Sequence, residues 1–149
     1  MVSIQIVRLK WHGSFTIDEI YTSEFSVFEN IDGFYMFLLR SKILYVGQVY
    51  FKSLRKRIEE HLRGDSLWRW IKRNYSSKNI SVKIADIEGL GQKRITKELV
   101  NDIECLLIAL LQPEGNIQSK ATYQGRDLKI VNLGKRTPLP KTLSTDTLE

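Results

Sequence analysis

Residues 33–50, GFYMFLLRSKILYVGQVY, constrain the fold more than any other stretch of the chain. Two runs of aromatic and β-branched residues, 33–39 and 43–50, are separated only by Arg40, Ser41 and Lys42. Strand formers on both sides of a turn-sized gap predict a β-hairpin. Each strand also sets a tyrosine close to a glycine: Gly33 stands just before Tyr35, and Gly47 just after Tyr45. Glycine weakens a strand and often marks a bend or a close backbone approach. A hydrophobic core needs neither the phenolic oxygens nor the glycines. Two readings fit: a pair of half-buried strand tyrosines, or a shaped surface at one end of the hairpin.

Around this hairpin the punctuation is clear. IQIVRLKW near the N-terminus alternates like a strand, and FTIDEIYTSEF fits a short helix. Ser53 is placed to cap a helix, LRKRIEEHLRG, closed by Gly64. Asp65-Ser66 opens a second helix with Trp68, Ile71 and Tyr75 on one stripe. ISVKIADI, residues 80–87, alternates as a further strand, and ITKELVNDIECLLIALLQ reads as a long helix stopped by Pro113. DLKIVNLG fits a last strand. KRTPLPKTLSTDTLE, residues 135–149, has two prolines, several threonines and no periodicity, and is read as a disordered tail. The order β-β-α-α-β-α implies an α+β fold: a small central three-stranded, antiparallel-type sheet flanked by helices, with extra strands at both ends.

Composition narrows the classes. A chain of 149 residues, 42% hydrophobic, suits one domain with a real core. Its longest uninterrupted apolar run, Cys105 to Leu111, is far too short to span a membrane. The N-terminus lacks the pattern of a signal peptide, so an intracellular, cytoplasmic protein is expected. A single cysteine excludes an internal disulfide and a multi-cysteine zinc site. The net charge of +6 is concentrated. Residues 40–73 carry ten Lys/Arg against three Asp/Glu, whereas residues 1–39 carry two against five. Such a patch is either a solvated basic face or the footprint of a polyanion, of which nucleic acid is the commonest.

Three further places carry candidate chemistry. In the first helix Leu54, Ile58 and Leu62 form the inward stripe, and Arg57 and His61, one turn apart, border it. Arg57 there can snorkel, or can grip a phosphate with its planar fork. In the long helix Glu104 lies among Val100, Leu107, Ile108 and Leu111, where a carboxylate needs a partner or a metal. Asp102, near Leu99, Leu106 and Ala109, competes for the same description, and helical geometry does not choose between them. The segment TYQGRDLK offers Tyr123 and Arg126 either as nucleic-acid contacts or as part of a capping strand.

The ordered set resembles the GIY-YIG nucleases. Gly33-Phe34-Tyr35 stands where that family has Gly-Ile-Tyr, and Tyr45-Val46-Gly47 where it has Tyr-Ile-Gly. LRKRIEEHL supplies the arginine and the histidine one turn later, Arg57 and His61. ECLLIALLQPEGN supplies Glu104, Pro113 and Asn116. Phe34 and Val46 replace isoleucines, and the loop from Gly47 to Arg57 is about two residues longer than in many members. Arg55 thus competes with Arg57 for the arginine's role, with Arg57 preferred for its spacing to His61. The resemblance covers roughly residues 31 to 117. It divides the chain into an N-terminal extension (1–30), a nuclease domain (31–117), a C-terminal extension packing on it (118–134) and the tail.

The resemblance implies a metal-dependent DNA endonuclease hydrolysing phosphodiesters with one divalent ion, Mg²⁺ or Mn²⁺. It implies Glu104 as the metal ligand, Arg57 as the phosphate clamp and Tyr35 as general base or water-positioner. Tyr45 and His61 assist, and Asn116 orients a ligand or the substrate backbone. Gly33 and Gly47 let backbone and substrate approach. Lys52, Arg55, Lys56, Arg63, Arg69, Lys72, Arg73 and Arg126 are the expected contacts to double-stranded or branched DNA. A homodimer is compatible with the absence of any appended recognition domain. The alternative reading is a module of the same fold that binds DNA without cutting it.

Overall fold

In the computed structural model the described residues are 4–88, 94–116 and 123–148. Alternation of apolar and polar residues makes Gln5–Thr16 a long strand, β1, with Val7, Leu9 and Trp11 facing inward. Phe15 and Thr16 belong to this strand. Only the rest of the segment expected to be a short helix is helical, as a 3₁₀ turn at Asp18–Tyr21 and a single α-turn, α1, at Ser23–Ser26. The hairpin follows as β2 (Gly33–Leu39) and β3 (Lys42–Val49), with Arg40 in the left-handed region at the turn. Then come α2 (Leu54–Leu62), α3 (Ser66–Asn74), β4 (Ile80–Glu88), α4 (Lys97–Leu111), β5 (Leu128–Gly134) and β6 (Thr142–Ser144).

The helix boundaries are set by side-chain caps. Ser53, Asp65 and Thr96 each accept a backbone N–H from the first turn of α2, α3 and α4. Each such cap contributes about 1 kcal/mol. Gln112 ends α4 in the left-handed conformation, with Pro113 next in the chain. No helix among the described residues is long and apolar enough to cross a membrane.

The sheet is larger than the expected three strands. Six strands run in the order β3-β2-β4-β1-β5-β6. The expected antiparallel trio β3-β2-β4 forms one half of it, and β1 extends it by pairing antiparallel to β4 and parallel to β5. The N-terminal segment is therefore no appendage: its strand is central in the sheet. The assignment of residues 135–149 as a disordered tail is likewise corrected for residues 135–148. β6 pairs with β5, Leu139 and Leu143 are buried, and the Lys83 ammonium donates to the carbonyls of Lys135 and Thr137. Buried Asn132 accepts from the Trp11 indole and donates to the Pro140 carbonyl, pinning the return segment to β1. A three-residue strand just after two prolines leaves no periodicity to read. The domain boundary expected at 117–118 lies outside the described residues.

β2 is buried on both faces, and this positions everything that follows. Phe34, Met36 and Leu38 pack with α4 on one side, and Tyr35 and Phe37 with α2 and α3 on the other. β3 is the edge strand, so the two helical layers meet at its open side.

Candidate active site at the sheet edge

At that edge a cavity of about 450 Å³ opens between the layers. β3 contributes Tyr45, α2 contributes Arg57 and His61, α4 contributes Glu104, and the turn after α4 contributes Asn116. Five of the six residues expected to be catalytic thus line one space, although they are spread over 72 positions of the chain, Tyr45 to Asn116. Ordinary packing requires no such convergence.

Tyr35 is the exception. Its side chain has no exposure, and its hydroxyl lies behind the cavity wall, 2.8 Å from Nε2 of His61. The register explains this. Tyr35 stands opposite Gly47 across the hairpin, and a Cβ at Gly47 would overlap the end of the phenol ring. Gly33 in turn lies against the Ala85 carbonyl of β4. Both motif glycines therefore serve close packing inside the protein. Tyr45, two positions back along β3 and opposite Phe37, is the phenol that reaches open space.

His61 is held at both nitrogens. Its Nδ1 lies 2.6 Å from Asp65 Oδ2, while Nε2 faces Tyr35. Burial pushes the imidazole below its ordinary pKa, against the opposing pull of the Asp65 carboxylate. The neutral ring that results donates through Nδ1–H to Asp65 and accepts the Tyr35 O–H at Nε2. Burial also raises both phenols, Tyr35 well above its ordinary value; the Arg57 guanidinium draws both down. Tyr35 is raised the further of the two, so Tyr45 is the phenol that ionises more readily.

Glu104 is half-buried and its carboxyl pKa is raised by burial, opposed by the Gln48 amide and the charges of Lys97 and Arg57. Gln48 donates to Glu104 Oε1 (3.2 Å) and to Asn101 Oδ1 (2.7 Å), and accepts from Lys97 Nζ (2.6 Å). The choice between the two acidic residues of α4 is made by the loop before β5. Asp102 accepts the Arg126 guanidinium at 2.7 Å, leaving Glu104 as the residue at the cavity. Arg126, expected as a nucleic-acid contact, is thereby engaged within the chain. Residues 123–127 form no strand, and Tyr123 donates to the Arg126 carbonyl. Thr122 lies outside the described residues.

The competition between the arginines is also decided. Arg55 points away, donating to the Ile20 carbonyl near Glu29, while Arg57 lines the cavity and pairs with Glu60 on the same helix. Lys52, Lys56, Arg63, Arg69, Lys72 and Arg73 are exposed. Asn116 lines the cavity and also holds the backbone of β3. Its amide accepts from Val46 N–H and donates to Val46 C=O, both at 2.9 Å, gripping β3 beside Tyr45. Sequence reasoning missed Asp65, Gln48 and the cavity residues of α3. For Asp65 the four-residue spacing to His61 was available, but its position as a helix cap already accounted for it.

Among the described residues no group of three or more His, Cys, Asp or Glu side chains is arranged to hold an ion. A cation at Glu104 would have few protein ligands and would keep most of its waters. Comparison with protein-family models, with curated proteins and with solved structures finds no match.

Proposed function

We propose that this protein is a metal-dependent phosphodiester hydrolase acting on DNA. The observation that carries this reading is the convergence of Tyr45, Arg57, His61 and Glu104, from three elements, on one cavity beside a basic surface. Mg²⁺ or Mn²⁺ held by Glu104 would supply charge neutralisation at the phosphoryl oxygens.

The chain's own residues account for the rest. Arg57, with its fork at the cavity wall, clamps the scissile phosphate and is preorganised for the charge that develops on it. Tyr45 positions the attacking water. When that water loses its proton, Tyr45 accepts it as Tyr45 passes its own to Tyr35, and Tyr35 passes its proton to Nε2 of His61. The imidazolium so formed is stabilised by Asp65. Proton transfer thus leaves no phenolate, which the buried site would disfavour. Asn116 holds the Tyr45–Val46 backbone in place. The exposed Lys and Arg residues of α2 and α3 meet backbone phosphates without reading sequence.

The test is Mg²⁺-dependent conversion of supercoiled plasmid to nicked or linear forms, run beside Glu104→Ala and Tyr45→Phe. Loss of about 100-fold or more in both variants supports the reading. Equal cleavage by wild type and Glu104→Ala overturns it. The sparse ligand set around Glu104 favours a second reading, a module that binds DNA without cutting it; binding without cleavage would select that reading.

A further inference from the structure

The cavity is larger than a phosphate requires, and its surplus has a definite chemistry. Its volume falls in the range that accommodates small organic ligands. Beyond the polar residues already described, its wall is made by Leu67, Trp70 and Ile108, with Ser66 beside them. Ser66 and Leu67 lie four and three residues before Trp70, which brings both beside it on α3. Buried Trp68 and Ile71 are the core residues of the helix, and Leu67 and Trp70 pack at the margin of that core, half-buried. Trp70 remains only half-buried, its ring met edge-on by Tyr75 at 5.9 Å between centroids. The indole is braced, yet it lines open space.

On α4, Glu104 and Ile108 are one helical turn apart, a rise of about 6 Å. That is the scale of a single nucleotide. A π-surface with aliphatic neighbours, in one cavity with a guanidinium and a carboxylate, matches a nucleobase attached to the phosphate beside Arg57. In a duplex the base would be stacked away from such a wall. Single-stranded nucleic acid is recognised by this combination of aromatic platform and basic track, and Arg69, Lys72 and Arg73 of α3 are exposed beside Trp70 in sequence.

We infer that Leu67, Trp70 and Ile108 form a nucleobase subsite, and that the preferred substrate is DNA carrying an unpaired nucleotide next to the cleaved phosphodiester. This rests on the DNA-hydrolase reading and narrows its substrate class.

The experiment compares two oligonucleotide duplexes of one sequence in chelator, which prevents cleavage. One is fully paired. The other carries a three-nucleotide unpaired patch containing 2-aminopurine. Wild type is expected to bind the unpaired probe about 10-fold more tightly and to change its fluorescence by stacking. Trp70→Leu, which keeps apolar bulk, should abolish both effects while leaving affinity for the paired duplex within about twofold; Trp70→Phe should retain most of the preference. Equal binding of both probes by wild type, with no fluorescence change, overturns the inference whatever the variants do. Equal weakening on both probes in Trp70→Leu overturns it as well. Binding of both probes without preference removes this inference and leaves the hydrolase reading standing; binding of neither removes both.

Discussion

The Tyr35 hydroxyl lies 2.8 Å from Nε2 of His61, and Asp65 lies 2.6 Å from the other ring nitrogen. Side chains from a strand, a helix and a helix cap thus form one line that starts behind the cavity wall. Only His61 and Asp65 in that line also reach the cavity wall. The line gives the histidine a single tautomer and a place to put a proton.

A pH profile tests this directly. Activity needs neutral His61, so cleavage should fall as pH drops through a pKa below the ordinary 6.5. His61→Ala should lose about 100-fold in rate. Asp65→Asn removes the charge that raises the His61 pKa. Its acid limb should move to lower pH while the maximal rate falls about 10-fold. A profile unchanged in Asp65→Asn would mean that Asp65 serves only as a helix cap.

The same shift predicts an effect on stability. A histidine whose folded pKa is depressed stabilises above its unfolded value and loses that contribution as pH falls through the folded one. Wild type should lose more thermal stability than His61→Gln between pH 7.5 and pH 5, measured by circular dichroism. Equal losses would place the acid sensitivity elsewhere.

Glu104 has the opposite sign. Its folded pKa is raised by burial, so its favourable contribution belongs to low pH and is lost as pH rises through the folded value. At neutral pH the ionised carboxylate is a burden on the fold. Glu104→Gln should abolish activity yet raise the unfolding midpoint by roughly 3 °C, the scale of about 1 kcal/mol for a chain of this length. Adding Mg²⁺ should raise the midpoint of wild type but not of the variant.

Gly47→Ala should destabilise by about 1–3 kcal/mol, as overpacking does. The new methyl would overlap both Cζ and the hydroxyl of Tyr35. Tyr35→Phe would therefore not rescue it. Denaturant unfolding of the single and double variants measures this, and rescue by Tyr35→Phe would show that the hydroxyl alone causes the conflict.

Asn116→Ala leaves both backbone groups of Val46 without their partner in a buried place. The expected loss is about 2 kcal/mol. Asn116→Asp keeps an acceptor for Val46 N–H but cannot donate to Val46 C=O, and should fall between the two. Unfolding midpoints of the three proteins check the order.

Much of the hairpin half was legible from local signals. The two strands of the hairpin, the caps Ser53 and Asp65 and the stop at Pro113 are each encoded within a few residues, and each appears where those residues are. The candidate site was legible only as a set of residue types in order. Their spacing says nothing about exposure, so it does not show which of Tyr35 and Tyr45 reaches open space. The register that puts Gly47 beneath Tyr35, and so sends that phenol inward, exists only once the hairpin is paired and α2 covers it.

The sequence by itself determined which segments are strands and helices where periodicity or a cap is strong, the single basic region and the candidate residues. The tertiary structure decided the rest. It made β1 central, because pairing with β4 and β5 spans most of the chain and leaves no local trace. It tied down the C-terminal segment through Asn132 and Lys83. It separated Asp102 from Glu104 by giving one of them Arg126. The physical reason is the same in each case: a short stretch encodes its own periodicity and caps, whereas burial, register and the pairing of charges depend on what distant residues bring to the other side.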